Sequence, residues 1–202
     1  MSKHRYELTQ SLLAAWLYAT DAEAEEHSWD EFIDALEHKP KAPNEAMKDG
    51  IEFERLVTLH AAGKPFDVDN EDWFKAAMQV GNICKGAVPQ VRIEKDVQIR
   101  GIDFRLIGVA DFVKAGRIYD VKKVLKYECP KYFHSPQHPM YFELIPEAKV
   151  FQYLIFDGKY VYREQYHPGD GLDIYAAISA FVDFLFDRNL LSKYFEKWRI
   201  MQ

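Results

Sequence analysis

The sequence predicts an α/β fold, with a mixed central sheet flanked by helices. Three observations carry this. Residues 90–125 contain three successive strand-like runs joined by tight turns. Residues 148–167 contain two more around Asp157-Gly158, a strong short-range hairpin signal. Segments with helical apolar spacing precede, separate and follow these runs.

Taken in order, residues 7–19 read as an amphipathic helix, with Leu8, Leu12, Trp16 and Ala19 on one side. The acidic stretch 21–39 continues helical, with Trp29, Phe32, Ile33 and Leu36 together, and KPKAPN breaks it. Asn44 is placed to cap a helix over 45–63, which Gly63 closes. A further helix spans Glu71–Cys84. The period then changes to two: QVRIEKDVQI, IDFRLIGVADFVKA and RIYDVKKVL form an antiparallel meander turning at Gly101 and Ala115-Gly116. SPQHPMYFELI is a short helix, capped by Ser135 with Pro136 at its first position. The hairpin follows, and residues 172–198 read as one closing helix.

A chain of 202 residues, 48% hydrophobic and 15% aromatic, supplies one well-buried core, so a single domain over 1–202 is expected. Cys84 and Cys129 lack any CxxC pattern, which suggests neither a disulfide framework nor a cysteine-ligated metal and fits a reducing cytoplasm. The N-terminal segment with Lys3, His4 and Arg5 before SLLAAWLYA imitates a signal peptide, but Glu7 and Gln10 interrupt it and the apolar run is short. No run approaches the roughly 18 apolar residues of a membrane span. The net charge of -6 argues against a generic nucleic-acid binder, yet it is unevenly placed. Residues 1–74 hold 7 Lys+Arg against 17 Asp+Glu, and residues 75–131 hold 12 against 6, a basic island in an acidic chain.

That island contains YDVKKV. On a strand, Asp120 and Lys122 share a face and Val121 points away. Counted outward from the Gly116 turn, Asp111 on the preceding strand comes to lie nearly opposite Asp120. Facing carboxylates repel unless something positive sits between them. Mg²⁺ or Mn²⁺, which prefer hard oxygen ligands, would serve, with Lys122 beside the ion to orient a water or stabilise a phosphorus transition state. The plainer reading pairs these acids with Arg105 or Lys123 on exposed strands. His134, His138 and Cys129 imitate part of a zinc site without a fourth ligand. His60 reads as a buried or half-buried helix residue, Lys123 and Lys126 as facing solvent or phosphates, and most rings of YFHSPQHPMYF as core.

With these residues in place, the chain resembles the PD-(D/E)XK nuclease superfamily, in particular its RecB-like and phage-exonuclease-like branch. The resemblance rests on D-x8-D-x-K (Asp111, Asp120, Lys122), on GIEFERLV as the family's G-x-x-x-E helix with Glu54, and on QHPMY as its Q-x-x-x-Y signature with Gln137 and Tyr141. The element order α-βββ-α-β, that of a restriction-endonuclease-like core, completes it over residues 44–166, with N-terminal helices in 1–43 and C-terminal helices in 170–198 outside it. The resemblance implies a Mg²⁺- or Mn²⁺-dependent deoxyribonuclease, an exonuclease in a phage or mobile-element recombination setting. It implies that Asp111, Asp120 and the Val121 carbonyl hold the metal with help from Glu54, that Lys122 positions the attacking water, and that Gln137 and Tyr141 support Lys122 or contact DNA. The cluster cysteines of some RecB-like nucleases are missing, and so is a P-loop. DNA is the expected partner, with a homo-oligomer or a recombination protein as further possibilities. Two other classes remain: a catalytically silent nucleic-acid-binding module of the same fold, and a hydrolase of small phosphoesters, which has no use for an extended basic surface.

Overall fold

The computed structural model describes residues 4–23 and 25–201. Within them lie six strands and seven helices: β1 (Arg5–Thr9), α1 (Gln10–Ala19), α2 (Ser28–Leu36), α3 (Glu45–Ala61), α4 (Glu71–Cys84), β2 (Val88–Ile99), β3 (Ile102–Lys114), β4 (Arg117–Lys123), α5 (Gln137–Leu144), β5 (Val150–Phe156), β6 (Val161–Tyr166), α6 (Ile174–Asp187) and α7 (Leu191–Lys197). All six strands join one open, mixed sheet with helices on both faces, the α/β architecture the sequence predicts. β2 runs antiparallel along one edge of β3; β1 (parallel) and β4 (antiparallel) share the other edge end to end, and β5 and β6 extend the sheet beyond β4.

The α3 cap forms as expected, and α4 is capped in the same way. Asn44 accepts from the Met47 amide at 2.9 Å, and Asn70 from those of Asp72 and Trp73 at 3.0 and 3.1 Å. Three expectations need correction. The helix read over 7–19 begins only at Gln10: residues 5–9 form β1, paired with Asp103–Ile107, and Thr9 ends the strand by capping α1. The acidic stretch is helical only over Ser28–Leu36; Ala24 lies outside the described residues. The closing helix is two helices, because Asn189 takes the left-handed conformation (φ 57°) that terminates α6.

The core has two principal sides. Phe53, Leu56 and Val57 of α3, with Ala76, Ala77 and Val80 of α4, pack on Phe112, Tyr119, Val121, Leu154 and Phe156 of the sheet. On the opposite face α1, α2, α6 and α7 cover Phe104 and Leu106, while α5 packs nearer the centre. Between Ile107, the last partner of β1, and Phe112, the first partner of β4, residues 108–111 of β3 have no strand on that edge. Helix α5 lies against this gap, and its approach requires Gly108: a Cβ there would stand 2.7 Å from Leu144 Cδ1 and 3.0 Å from Tyr141 Cζ. Gly108→Ala is expected to cost about 1–3 kcal/mol by overpacking, read as a lower midpoint in urea at unchanged slope.

Candidate active site

The β3–β4 hairpin turns through Ala115 and Gly116, both with positive φ (47° and 75°), the two-residue turn whose twist suits paired strands. Its register pairs Lys114 with Arg117, Val113 with Ile118 and Phe112 with Tyr119. The next step outward would set Asp111 against Asp120, and there the ladder stops. Like charges directly opposed destabilise a ladder. In place of a strand bond, Asp111 Oδ2 accepts from the Val121 amide at 2.8 Å. In an extended strand a residue's N–H and C=O point to the same neighbour, so the Val121 carbonyl is directed toward this edge as well.

Asp111 is irregular on its other side too. Ala110 packs in the cluster around Tyr141, whereas Phe112 packs under α3 and α4. Residues two apart on a regular strand share a face, so β3 rolls over at Asp111. Opposite it on β2 the pair is also skipped: Pro89 meets Phe112 and Val91 meets Ala110, while Gln90 between them adopts φ 51°. A left-handed non-glycine residue costs of order 1–2 kcal/mol. Its side-chain amide donates to Glu54 Oε1 at 2.5 Å, reaching across to α3.

Asp120 is buried. Its Oδ1 accepts from Gln137 Nε2 at 2.5 Å, and Oδ2 lies 2.7 Å from Lys122 Nζ. That contact is an ion pair lacking hydrogen-bond alignment, so Oδ2 is left without an aligned donor. Burial, then the charges of Asp120 and Glu54, push the Asp111 carboxyl well above the usual aspartate range, against the Val121 amide and Lys122. Burial and Asp120 likewise raise Glu54, against Lys122 and Gln90. For Lys122 burial acts downward, but Asp120 and Asp111 outweigh it, so its ammonium stays charged. Tyr141, one turn from Gln137, donates to the Val109 carbonyl at 2.6 Å, and burial with the Asp120 and Asp111 charges keeps its hydroxyl protonated.

Glu54, Asp111, Asp120, Lys122, Gln137 and Tyr141 therefore gather at one place. The plainer pairing does not occur. Arg105 binds Asp96 at 2.9 Å, and Lys123, expected to face solvent or phosphate, lies over the rings of Trp73 and Phe156 and donates to the Val124 carbonyl. Lys126 sits against Glu128. His138 is buried and stacked on Tyr166 at 4.0 Å, and His60 is half-buried against Asn82. The Cys84 thiol, pushed up to about 12 by burial and then by Asp111, stays protonated.

Sequence reasoning missed Gln90, Tyr132 and Glu164. The Tyr132 hydroxyl is raised to about 12 by burial, against Lys122, and its ring stacks on Tyr153 at 4.3 Å. Glu164 of β6 is buried yet held ionised. It accepts from the Tyr127 hydroxyl at 2.7 Å, the Lys131 amide at 3.1 Å, the Tyr132 amide at 2.7 Å and the Tyr166 hydroxyl, and these outweigh burial, which acts upward. It thereby fastens the loop after β4 beside the site. The signal was present: on VYREQY, Glu164 shares a face with Tyr162 and Tyr166.

Two opposed carboxylates, one with an oxygen lacking an aligned donor, and a backbone carbonyl directed to the same edge make a hard oxygen donor set that fits Mg²⁺ or Mn²⁺. Among the described residues no three His, Cys, Asp or Glu side chains converge as a ligand group. An ion here would therefore rest on two carboxylates and keep water ligands, the usual habit of Mg²⁺.

Among the described residues no helix is long and apolar enough to cross a membrane. No family model matches the chain, and no curated protein matches it. Among solved structures it is similar to one titled "Crystal structure of SSO0001", at 14% identity and a TM-score of 0.53, covering 94% of this chain and 79% of that one. At that identity the likeness is one of fold.

Proposed function

We propose that this chain is a metal-dependent deoxyribonuclease that hydrolyses phosphodiester bonds. One observation carries the reading: Asp111 and Asp120 are opposed where their ladder ends, and Lys122 stands 2.7 Å from the Asp120 oxygen that lacks an aligned donor. Asp111, Asp120 and the Val121 carbonyl would hold Mg²⁺ or Mn²⁺, with Glu54 helping directly or through water. When bound, the ion supplies positive charge to the scissile phosphate and lowers the pKa of a bound water.

The chain's own residues do the rest. Lys122, kept charged by its acids, orients the attacking water and opposes the negative charge gathering on phosphorus. Gln137 fixes the Asp120 carboxylate through Oδ1 and leaves Oδ2 facing Lys122. Tyr141 ties α5 to β3 beside Asp111, and Gln90 holds Glu54.

The basic island is narrower than its composition suggests. Arg92, Lys95, Arg105 and Lys126 are ion-paired on the surface. Lys85, Lys114, Arg117 and Lys131 have no ion pair among the described residues and remain for backbone phosphates. Exonuclease action in phage or mobile-element recombination follows from the family resemblance alone, and a cytoplasmic setting from two free cysteines.

The test is incubation with linear and circular, single- and double-stranded DNA in Mg²⁺ or Mn²⁺. Cleavage of linear DNA that stops with chelator is expected. Failure on every substrate with either metal, alongside retained DNA binding, would leave the silent binding module.

A further inference from the structure

Helix α3 turns Ile51, Glu54, Arg55, Thr58 and Leu59 toward Gln90, and the six together line an open cavity of about 280 Å³. Its walls are mostly aliphatic, and one of its lining residues is Glu54, whose carboxyl feels the charges of Asp120 and Lys122. Ile51 is 62% exposed, Met47 one turn earlier continues the strip, and Val88 opens β2 as exposed as Ile51. Single exposed aliphatics need no explanation, but a strip of them leading to a group of converging acids marks a binding surface.

Apart from the Thr58 hydroxyl, the polar side chains of the cavity are already paired. Arg55 donates twice to Glu52, both at 2.7 Å, and Gln90 donates to Glu54. Recognition here rests on shape and apolar contact rather than on reading hydrogen-bonding edges. The ligand that suits an aliphatic slot beside phosphate chemistry is a nucleotide, whose flat base can lie between apolar side chains while its phosphate reaches the acids. A volume at the lower limit of ordinary small-molecule pockets admits one base and no base pair.

We infer that the cavity, given the nuclease reading above, receives one unpaired base of the strand being cut, adjacent to the scissile phosphate and regardless of base identity. Duplex DNA must then fray at its end before cleavage, and a single strand needs no such step.

The test scans a tetrahydrofuran abasic residue along a linear single-stranded oligonucleotide and measures kcat/KM for each bond in Mg²⁺. At one position beside the cut, loss of the base is expected to slow cleavage roughly tenfold, equally for all four bases. Ile51→Ala, at an exposed position, is expected to shrink that ratio to about threefold or less. Equal cleavage of abasic and intact strands overturns the pocket and leaves the nuclease standing. An undiminished ratio in Ile51→Ala also overturns the pocket, since the base is then held elsewhere. No metal-dependent cleavage of any strand overturns both.

Discussion

Lys122→Ala is expected to lower metal-dependent cleavage of linear DNA by about 10²–10³-fold in kcat, the scale of losing one preorganised charge at a developing oxyanion. The ammonium also answers the buried Asp120 and half-buried Asp111 carboxylates, so its removal is not silent in the fold. Asp120 and Asp111 lose the cation that offsets them, and the metal-free variant should be less stable by about 1–3 kcal/mol, several degrees in melting temperature. Saturating Mg²⁺ should return that stability without returning activity. A variant that melts lower and still cuts at the wild-type rate would remove Lys122 from the chemistry; one that melts and cuts as the wild type would remove the ion pair as well.

The second large effect is metal-dependent stability. Free Mg²⁺ or Mn²⁺ at about a hundred times its dissociation constant should stabilise the fold by about 2.7 kcal/mol, or roughly 5–10 °C for a chain of this size. Asp111→Asn should raise the melting temperature of the metal-free protein, because the amide keeps an acceptor for the Val121 N–H and drops the charge opposing Asp120 and Glu54. The same variant should lose the response to metal. The pH dependence has a definite sign. Asp111 has a folded pKa above its unfolded value, so its stabilising contribution is complete below the ordinary aspartate pKa and is lost as pH rises through the elevated one. Metal-free protein should thus lose stability across that window, and metal should flatten the loss. Melting curves across pH, with and without metal, check both. No shift with either ion at millimolar concentration would leave the acids as structural strain alone.

The opposed acids were legible because period-two alternation and one tight turn fix which side chains oppose each other. Asp111 and Asp120 follow from the Ala115-Gly116 hairpin, and Gln137 and Tyr141 from one turn of α5. What was illegible depends on distant contacts. The RYELT run merges into a helical pattern, and only pairing with Asp103–Ile107 makes it a strand. Gln90 looks like any strand residue; its left-handed backbone falls where pairing with Asp111 is skipped, a contact between strands that the local sequence does not show. Asn189 was a readable stop signal, passed over because apolar spacing continues across it.

Glu164 carries one further consequence. Its oxygens clasp two successive backbone amides and two phenols, so the segment bearing Lys131 is pinned to β6 at its backbone. On the nuclease reading, a segment held in this way subtracts less ordering entropy from affinity for a strand. Capture of a strand would then be governed by diffusion and ionic strength rather than by a conformational gate.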